Sequence, residues 1–210
     1  DKKHAMILED LSQENYWNHD KRQQLDFEDT VKTLKHLAKF HAASIKLNEV
    51  SPEILERLKF ASLPHANLNS PEGKEFFMSN LKTLFKSLYV NEIKTREKQF
   101  KLYETRFIDK LKNVLNNNSQ DCFKVLAHGD AWTNNIMCKY DKYREVMSLR
   151  FVDFQLSHWT SPLVDLGYFF VICVRFPIFE KYLDIFLEIY VNALNRILRF
   201  LKSDTSLSFE

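Results

Sequence analysis

Apolar residues recur at helical spacing early in the chain, directly after a residue suited to begin a helix. The stripe consists of Phe27, Val31, Leu34, Ala38, His41 and Ile45. Asp26 precedes the stripe, and acidic residues fill the first turn, where they interact favourably with the helix dipole. This pattern predicts a helix over about residues 27–47.

Serine-proline pairs indicate three further helix starts, at 51–52, 70–71 and 161–162. The first predicts a short helix, and the second leads into a long helical region. Another helix is predicted from about 92 to 115, where a polar loop follows. The apolar stretch 163–178, interrupted by Asp165, Arg175 and Pro177, predicts a buried helix, and a final helix is predicted over about 178–201.

The pattern changes between these helices. Short β-like runs lie at 123–127, 136–140 and 148–154, with a polar turn at 141–144 between the last two. The chain is therefore predicted to be α+β and mainly helical, with a small β-hairpin element inserted late. Two of its three glycines, Gly129 and Gly167, fall in this region.

Composition excludes several classes of function. The 30 Lys and Arg residues nearly balance the 28 Asp and Glu residues, so the chain lacks the charge excess that favours a nucleic-acid partner. Three widely spaced cysteines fit neither a disulfide framework nor a CxxC metal site, which predicts a reduced, cytoplasmic protein. No apolar run reaches the ~18–20 residues that a membrane helix requires, so no membrane insertion is expected.

The segment from Val125 to Asp153 carries the clearest chemistry. Asp130 and Asp153 each follow a β-like run, and Asn135 lies five residues after the first aspartate. Such oxygen donors can hold Mg²⁺ and orient a hydroxyl group for attack on phosphorus. Taken singly, each has a structural alternative, because an aspartate at a strand end is commonly a turn former. A metal-dependent hydrolase of another fold, using the same carboxylates, is a further alternative.

The motifs HGDAWTNNIM, FVDFQ and SPLVDLGYF together resemble the ecdysteroid kinase-like (CHK kinase-like) small-molecule kinases. These have a protein-kinase-like fold and are related to choline kinase and the aminoglycoside phosphotransferases. MILEDLSQENYW is similar to their hinge, and LKHLAKFHAAS is similar to the first helix of their large lobe. Gln155 stands where protein kinases have a glycine, which favours a small-molecule acceptor over a protein.

The resemblance implies a role for each matching residue. Asp130 would be the catalytic base, with His128 and Asp165 holding its loop. Asn135 and Asp153 would bind Mg²⁺ that bridges the phosphates of ATP. Backbone groups of Glu9, Asp10 and Leu11 would meet the adenine of ATP.

Residues 1–12 would then be the hinge and the end of a missing small lobe, and residues 13–210 the large helical lobe with the catalytic and metal segment 123–167. The expected protein is an ATP-dependent phosphotransferase acting on a small-molecule hydroxyl acceptor, for which the family name suggests a steroid. The chain is expected to be a large-lobe fragment of it that lacks the nucleotide-clamping lobe, and so to bind nucleotide poorly and catalyse little alone. A pseudokinase-like scaffold is the alternative.

Overall fold

The computed structural model of the protein describes residues 7–59 and 123–208, with six isolated positions between them. The chain divides into two compact units, Asp1–Arg57 with Phe123–Glu210 and Leu58–Cys122. Apart from residues 58 and 59, everything below concerns the first unit. The predicted helical region after residue 70 and the predicted helix over 92–115 lie outside the described residues, apart from those isolated positions.

Four helices are described: α1 (Phe27–Val50), α2 (Pro52–Lys59), α3 (Leu163–Cys173) and α4 (Phe176–Phe200). The predicted helix after Asp26 is confirmed, and its end lies three residues beyond the predicted one. The Asp26 side chain accepts a hydrogen bond from the Asp29 backbone N–H at 3.0 Å, as expected of an N-cap. The predicted short helix after Ser51 is confirmed as α2.

The prediction of one buried helix over 163–178 is wrong in two respects. Helix α3 ends at Cys173 and α4 begins at Phe176, with Pro177 in the first turn of α4, where no backbone N–H is required. In addition, the outer face of α3 is apolar but exposed, with Leu163 at 65% and Val171 at 69%. The reason is that α3 carries apolar residues on all of its sides, whereas only one side packs against the core.

Within residues 7–59 and 123–208, five strands form two antiparallel sheets. The first sheet has the order β1-β3-β4, built from β1 (Tyr16–Asn18), β3 (Ile136–Tyr140) and β4 (Val146–Phe151). In the second, β2 (Val125–Ala127) pairs with β5 (His158–Thr160). The predicted hairpin is confirmed as β3 and β4, and the α+β class is confirmed. Strands β1 and β5 were not predicted, and β2 does not belong to the sheet of the hairpin.

The core lies between α1, α4 and strand β2. Its largest fully buried side chains include Leu34, Leu37, Phe186, Tyr190 and Leu194. Burial of such a side chain contributes about 1.5–3 kcal/mol. Helix α1 is also tied to β2, because Ser44 Oγ accepts a hydrogen bond from the Leu126 N–H at 2.9 Å. This contact fixes the strand that leads directly into the HGD motif.

Across the described part of the chain, no helix combines the length and the apolar character needed to cross a membrane.

Candidate active site

The loop after β2 is held by a buried carboxylate from another helix. Asp165, in the first turn of α3, is 1% exposed. Its Oδ2 accepts the His128 N–H at 2.6 Å and its Oδ1 accepts the Gly129 N–H at 2.8 Å. Both carboxylate oxygens therefore bind consecutive backbone N–H groups, which defines the path of the loop up to Asp130.

His41 completes the surroundings of this carboxylate from α1. Its Nε2 donates to Asp165 Oδ2 at 3.0 Å, and its Nδ1 lies 2.7 Å from the Tyr190 hydroxyl on α4. Burial alone would raise the pKa of Asp165, but the hydrogen bond and charge of His41, then the N–H groups of Gly129 and His128, lower it below its ordinary value. Asp165 is thus stabilised as an anion inside the core.

The imidazole of His128 is fully buried and bound on both sides by backbone groups. Its Nε2 lies 3.0 Å from the Val152 carbonyl, which can only accept, so Nε2 carries the proton. Its Nδ1 then accepts the Asp130 N–H at 3.3 Å. Because one ring nitrogen binds within the loop and the other binds Val152, the residue after strand β4, the ring joins the two segments that carry Asp130 and Asp153.

Gly129 occupies a position that no other residue fits. Its φ of +81° lies in the left-handed region, and a Cβ built there would stand 2.2 Å from the Leu156 carbonyl oxygen. The loop therefore passes directly against the 3₁₀ turn Phe154–Leu156 that follows Asp153.

Asp130 and Asn135 are joined directly. The Asn135 side-chain Nδ2 donates to Asp130 Oδ2 at 2.8 Å and to the Asp130 carbonyl at 3.0 Å. Both hydrogen bonds use the amide nitrogen, so the amide oxygen is the side-chain atom of Asn135 that can coordinate a cation. Asn135 is 8% exposed, so its orientation is set by packing as well as by these two bonds.

Asp153 is brought close to Asn135 because the first residue of β3 pairs with the last residue of β4. Ile136 pairs with Phe151, and the Val152 N–H donates to the Asn135 carbonyl at 3.0 Å. Asp153 itself has a φ of +65°, a strained conformation that aspartate tolerates better than most residues. Its carboxylate is exposed and accepts a 3.3 Å hydrogen bond from Gln155 Nε2.

These two side chains have the chemistry of a magnesium site. An amide oxygen and an exposed carboxylate are hard donors, and Mg²⁺ in phosphate-transfer sites takes few protein ligands and keeps several waters. Within residues 7–59 and 123–208, no cluster of three or more His, Cys, Asp or Glu side chains suited to a metal occurs. The pair fits Mg²⁺ rather than a histidine-rich metal centre.

Asn18, at the end of β1, holds the loop from its outer side. Its Nδ2 lies 2.7 Å from the Asn134 carbonyl, 3.2 Å from that of Ile136 and 3.3 Å from that of Thr133. Trp132 packs partly buried against the core, with Lys21 Nζ 5.9 Å from its ring centre.

Glu9, Asp10 and Leu11 precede and begin the 3₁₀ turn Leu11–Glu14. The Asp10 side chain caps this turn by accepting a hydrogen bond from the Ser12 N–H at 3.0 Å. Hydrogen bonds from the Ser12 and Gln13 side chains, and to a lesser extent this backbone bond, lower the pKa of Asp10. The carbonyls of Asp10 and Leu11 accept hydrogen bonds within the turn. These three residues are not among the partners described above for Asp130, Asn135 and Asp153.

Several functional contacts were not predicted. His41 was expected on the buried stripe of α1, but its pairing with Asp165 joins residues 124 positions apart. Tyr168, on α3, is influenced by the site, because burial, followed by the charge of Asp130, raises the pKa of Tyr168 to about 12. Asn18 lies on a strand too short for its pattern to be recognised.

The comparisons with known proteins give one match. A model of the ecdysteroid kinase-like family matches residues 1–203, which contain every residue of the site described above. Neither the curated proteins nor the solved structures give a match.

Proposed function

The chain belongs to the ecdysteroid kinase-like family. From this premise we propose that it carries the catalytic residues of an ATP-dependent phosphotransferase that acts on a small-molecule hydroxyl group. The observation that carries the proposal is that Asn135 donates two hydrogen bonds to Asp130, while Asp153 follows the residue that bonds to the Asn135 carbonyl at the end of the β3–β4 pairing. Phosphoryl transfer requires mainly positioning and charge stabilisation, and these three side chains offer both.

Asp130 is proposed as the catalytic base. The oxygen of the acceptor hydroxyl forms a bond to the γ-phosphorus as the bond from that phosphorus to the leaving ADP oxygen breaks, and the hydroxyl proton passes to Asp130. The hydrogen bond from Asn135 at 2.8 Å fixes one oxygen of this carboxylate, which leaves the other available to the acceptor.

Asn135 Oδ1 and the Asp153 carboxylate are proposed to hold Mg²⁺. The bound ion would neutralise charge on the phosphate oxygens. His128 and Asp165 would act as positioning residues, because His128 joins the loop to Val152, next to Asp153, and Asp165 holds the backbone ahead of Asp130.

The adenine is proposed to meet the backbone of Glu9 to Leu11. Because the carbonyls of Asp10 and Leu11 are used within the turn, the Glu9 carbonyl and the Leu11 N–H are the groups proposed for this contact. The acceptor is proposed to be a small-molecule alcohol, and the family name makes steroid alcohols the first compounds to test.

The test uses the complete gene product that contains this chain, with Mg²⁺ and γ-labelled ATP, against a panel of hydroxylated small molecules that includes ecdysteroids. Asp130→Asn is expected to lower kcat by about 100-fold or more with little change in Mg-ATP affinity. Asp153→Asn is expected to weaken Mg-ATP binding, measured by calorimetry without acceptor.

Asp184→Asn is the matched control, because Asp184 is an exposed residue of α4 and undergoes the same chemical change. It should behave as the wild type does. Full transfer activity in Asp130→Asn would contradict the assignment of the base. Normal Mg-ATP binding in Asp153→Asn would contradict the metal site. A wild-type protein that binds Mg-ATP and phosphorylates no compound would support a scaffold.

A further inference from the structure

A cavity of about 520 Å³ lies beside the loop that joins β1 to α1, apart from the candidate active site. Its described lining comes from this loop and the first turn of α1, from the β3–β4 hairpin, and from Arg175 between α3 and α4. Neither Asp130, Asn135 nor Asp153 belongs to this lining. Small-molecule sites in proteins have volumes of about 300–1,000 Å³, so the cavity can hold a ligand of metabolite size.

Two arginines line the cavity without a counterion from the protein. Among the described residues, neither Arg144 nor Arg175 forms an ion pair. The Arg175 side chain is held in place, because its Nε donates to the Gln23 carbonyl at 3.1 Å and its backbone N–H donates to the Leu25 carbonyl at 3.2 Å. The terminal nitrogens of a guanidinium bind the oxygens of a carboxylate or a phosphate in a bidentate manner. The arginines therefore favour an acidic group in the cavity.

Two carboxylates at the start of α1 line the same cavity. Asp26 Oδ1 accepts the Asp29 N–H at 3.0 Å as the helix cap, and neither side chain forms an ion pair with a described residue. Burial, followed by the charge of Asp26, raises the pKa of Asp29, although the charges of His19 and Lys32 act in the opposite direction. Asp20 also lines the cavity and accepts a backbone N–H within its own turn. A cation beside Asp26 and Asp29 would stabilise their ionised forms.

His19 supplies an independent indication of a ligand. Its Nδ1 lies 3.3 Å from the Tyr140 hydroxyl, and both residues line the cavity. Its Nε2 is excluded from solvent and has no hydrogen-bond partner among the described residues. Buried polar atoms in native proteins are almost always hydrogen-bonded, so this nitrogen points to a partner from outside the chain.

We propose that the cavity is a second ligand site, which binds a zwitterionic small molecule with a cationic amine and an acidic group, carboxylate or phosphate. The amine faces Asp26 and Asp29, and the acidic group faces Arg144 and Arg175. Ligands of one charge are disfavoured, because an anion would also meet the aspartates and a cation would also meet the arginines. The proposal is independent of the phosphotransferase function, since neither the proposed base nor the magnesium residues line the cavity.

The test titrates defined zwitterions into the complete gene product and follows binding by NMR of the ligand. The probes are β-alanine, γ-aminobutyrate, ε-aminohexanoate and aminopropylphosphonate, and the references of single charge are propylamine, butyrate and propylphosphonate. At least one zwitterion should bind about 10-fold more tightly than the references, since each reference makes only one of the two charge-assisted contacts. Comparison of γ-aminobutyrate with aminopropylphosphonate identifies the acidic group, because the two compounds differ in that group alone.

Arg144→Gln and Asp29→Asn should each weaken binding of the best zwitterion by about 10-fold or more. Arg144 is exposed in the turn between β3 and β4, so its substitution leaves the packed core untouched. Arg199→Gln and Asp184→Asn are the matched controls. Both residues are exposed on α4 and lie outside the described lining, so these variants should bind the zwitterion as the wild type does.

Asp153→Asn separates this cavity from the candidate active site, and it should leave the affinity for the zwitterion unchanged. An affinity that falls in Asp153→Asn and stays the same in Arg144→Gln would place the probe at the candidate active site and overturn the proposal. Failure of every zwitterion to bind, or equally tight binding of the single-charge references, would overturn it as well. None of these results alters the outcome of the phosphotransferase test, which uses labelled ATP and different variants.

Discussion

His41 Nε2 and Asp165 Oδ2 lie 3.0 Å apart in the core, although 124 residues separate them in sequence. Both side chains are excluded from solvent, at 0% and 1% exposure. Asp165 holds the two N–H groups that precede Asp130, so the position of the candidate base depends on a histidine of α1. The pair links the packing of the helices to the geometry of the site.

Replacement of His41 by alanine should destabilise the protein strongly. The substitution leaves the buried Asp165 carboxylate without one of its hydrogen-bond partners, and such a loss at a buried polar group costs about 1–3 kcal/mol, and more when the group is charged. It also leaves the Tyr190 hydroxyl without the partner that lies 2.7 Å away. Urea unfolding followed by circular dichroism measures the change in the free energy of unfolding.

His36→Ala supplies the control for this prediction. His36 lies on the same helix, is only partly buried, and its Nδ1 contacts the Lys32 carbonyl at 3.0 Å within α1. The free energy of unfolding should change by about 0.5 kcal/mol or less. Equal effects of the two substitutions would mean that the His41–Asp165 pair contributes nothing particular to stability.

The stability should depend on pH through Asp165. Burial would raise its pKa, but the hydrogen bond and charge of His41 and the backbone N–H groups lower it overall. A carboxyl group with a lowered folded-state pKa stabilises the fold fully above its unfolded value of about 3.9 and loses this contribution as pH falls through the folded value. Urea unfolding between pH 6 and pH 3 should therefore show falling stability.

Asp165→Asn isolates the contribution of this residue. The variant should be less stable than wild type at pH 6, and the difference between the two proteins should shrink as the pH falls, because Asp165 of the unfolded wild-type chain takes up a proton at a higher pH than Asp165 of the folded protein does. A difference that stays constant over this range would show that the pKa of Asp165 is not lowered on folding.

The sequence pattern predicted the parts of the fold that depend on local periodicity. Strand β3 lies at the predicted residues, Ile136–Tyr140, and α1 begins directly after the predicted cap. Strand β4 ends at Phe151 rather than at residue 154, because Asp153 adopts a left-handed backbone conformation. Strand β1 was missed because three residues are too few to establish an alternation of apolar and polar positions.

The site was predictable where its residues are close in sequence. The spacing of Asp130 and Asn135 suggested a shared site, and the structure joins them by two hydrogen bonds. The contact between His41 and Asp165 depends on where α1 and α3 pack, and a single sequence contains no signal for such a pairing. The exposed apolar face of α3 was missed for the same reason, since periodicity cannot distinguish a side that packs from one that does not.

The end of β1 should be sensitive to the charge of residue 18. Asn18 Nδ2 lies between three backbone carbonyls of the 133–136 segment. Asn18→Ala removes the donor, at a cost of about 1 kcal/mol, whereas Asn18→Asp places a negative charge against three acceptors and should cost more. Urea unfolding of the two variants would show the order. Equal stabilities would contradict a donor role for this amide.

The pair of glycines in the site region offers the sharpest test of the loop geometry. Gly129→Ala forces a side chain into a backbone with φ of +81°, and its Cβ would stand 2.2 Å from the Leu156 carbonyl oxygen. Because the obstructing atom belongs to the backbone, a rotamer change cannot relieve the overlap. We expect a loss of at least about 2 kcal/mol in the free energy of unfolding and loss of acceptor phosphorylation.

Gly167→Ala is the same substitution at a site with opposite properties. Gly167 lies within α3, and nothing stands within 4 Å of its added Cβ. Because alanine favours a helix interior over glycine by about 1 kcal/mol, this variant should be as stable as wild type or more stable. Urea unfolding of both variants at one pH provides the comparison. A Gly129→Ala protein as stable as Gly167→Ala would show that the loop does not pass against the 3₁₀ turn Phe154–Leu156 as described.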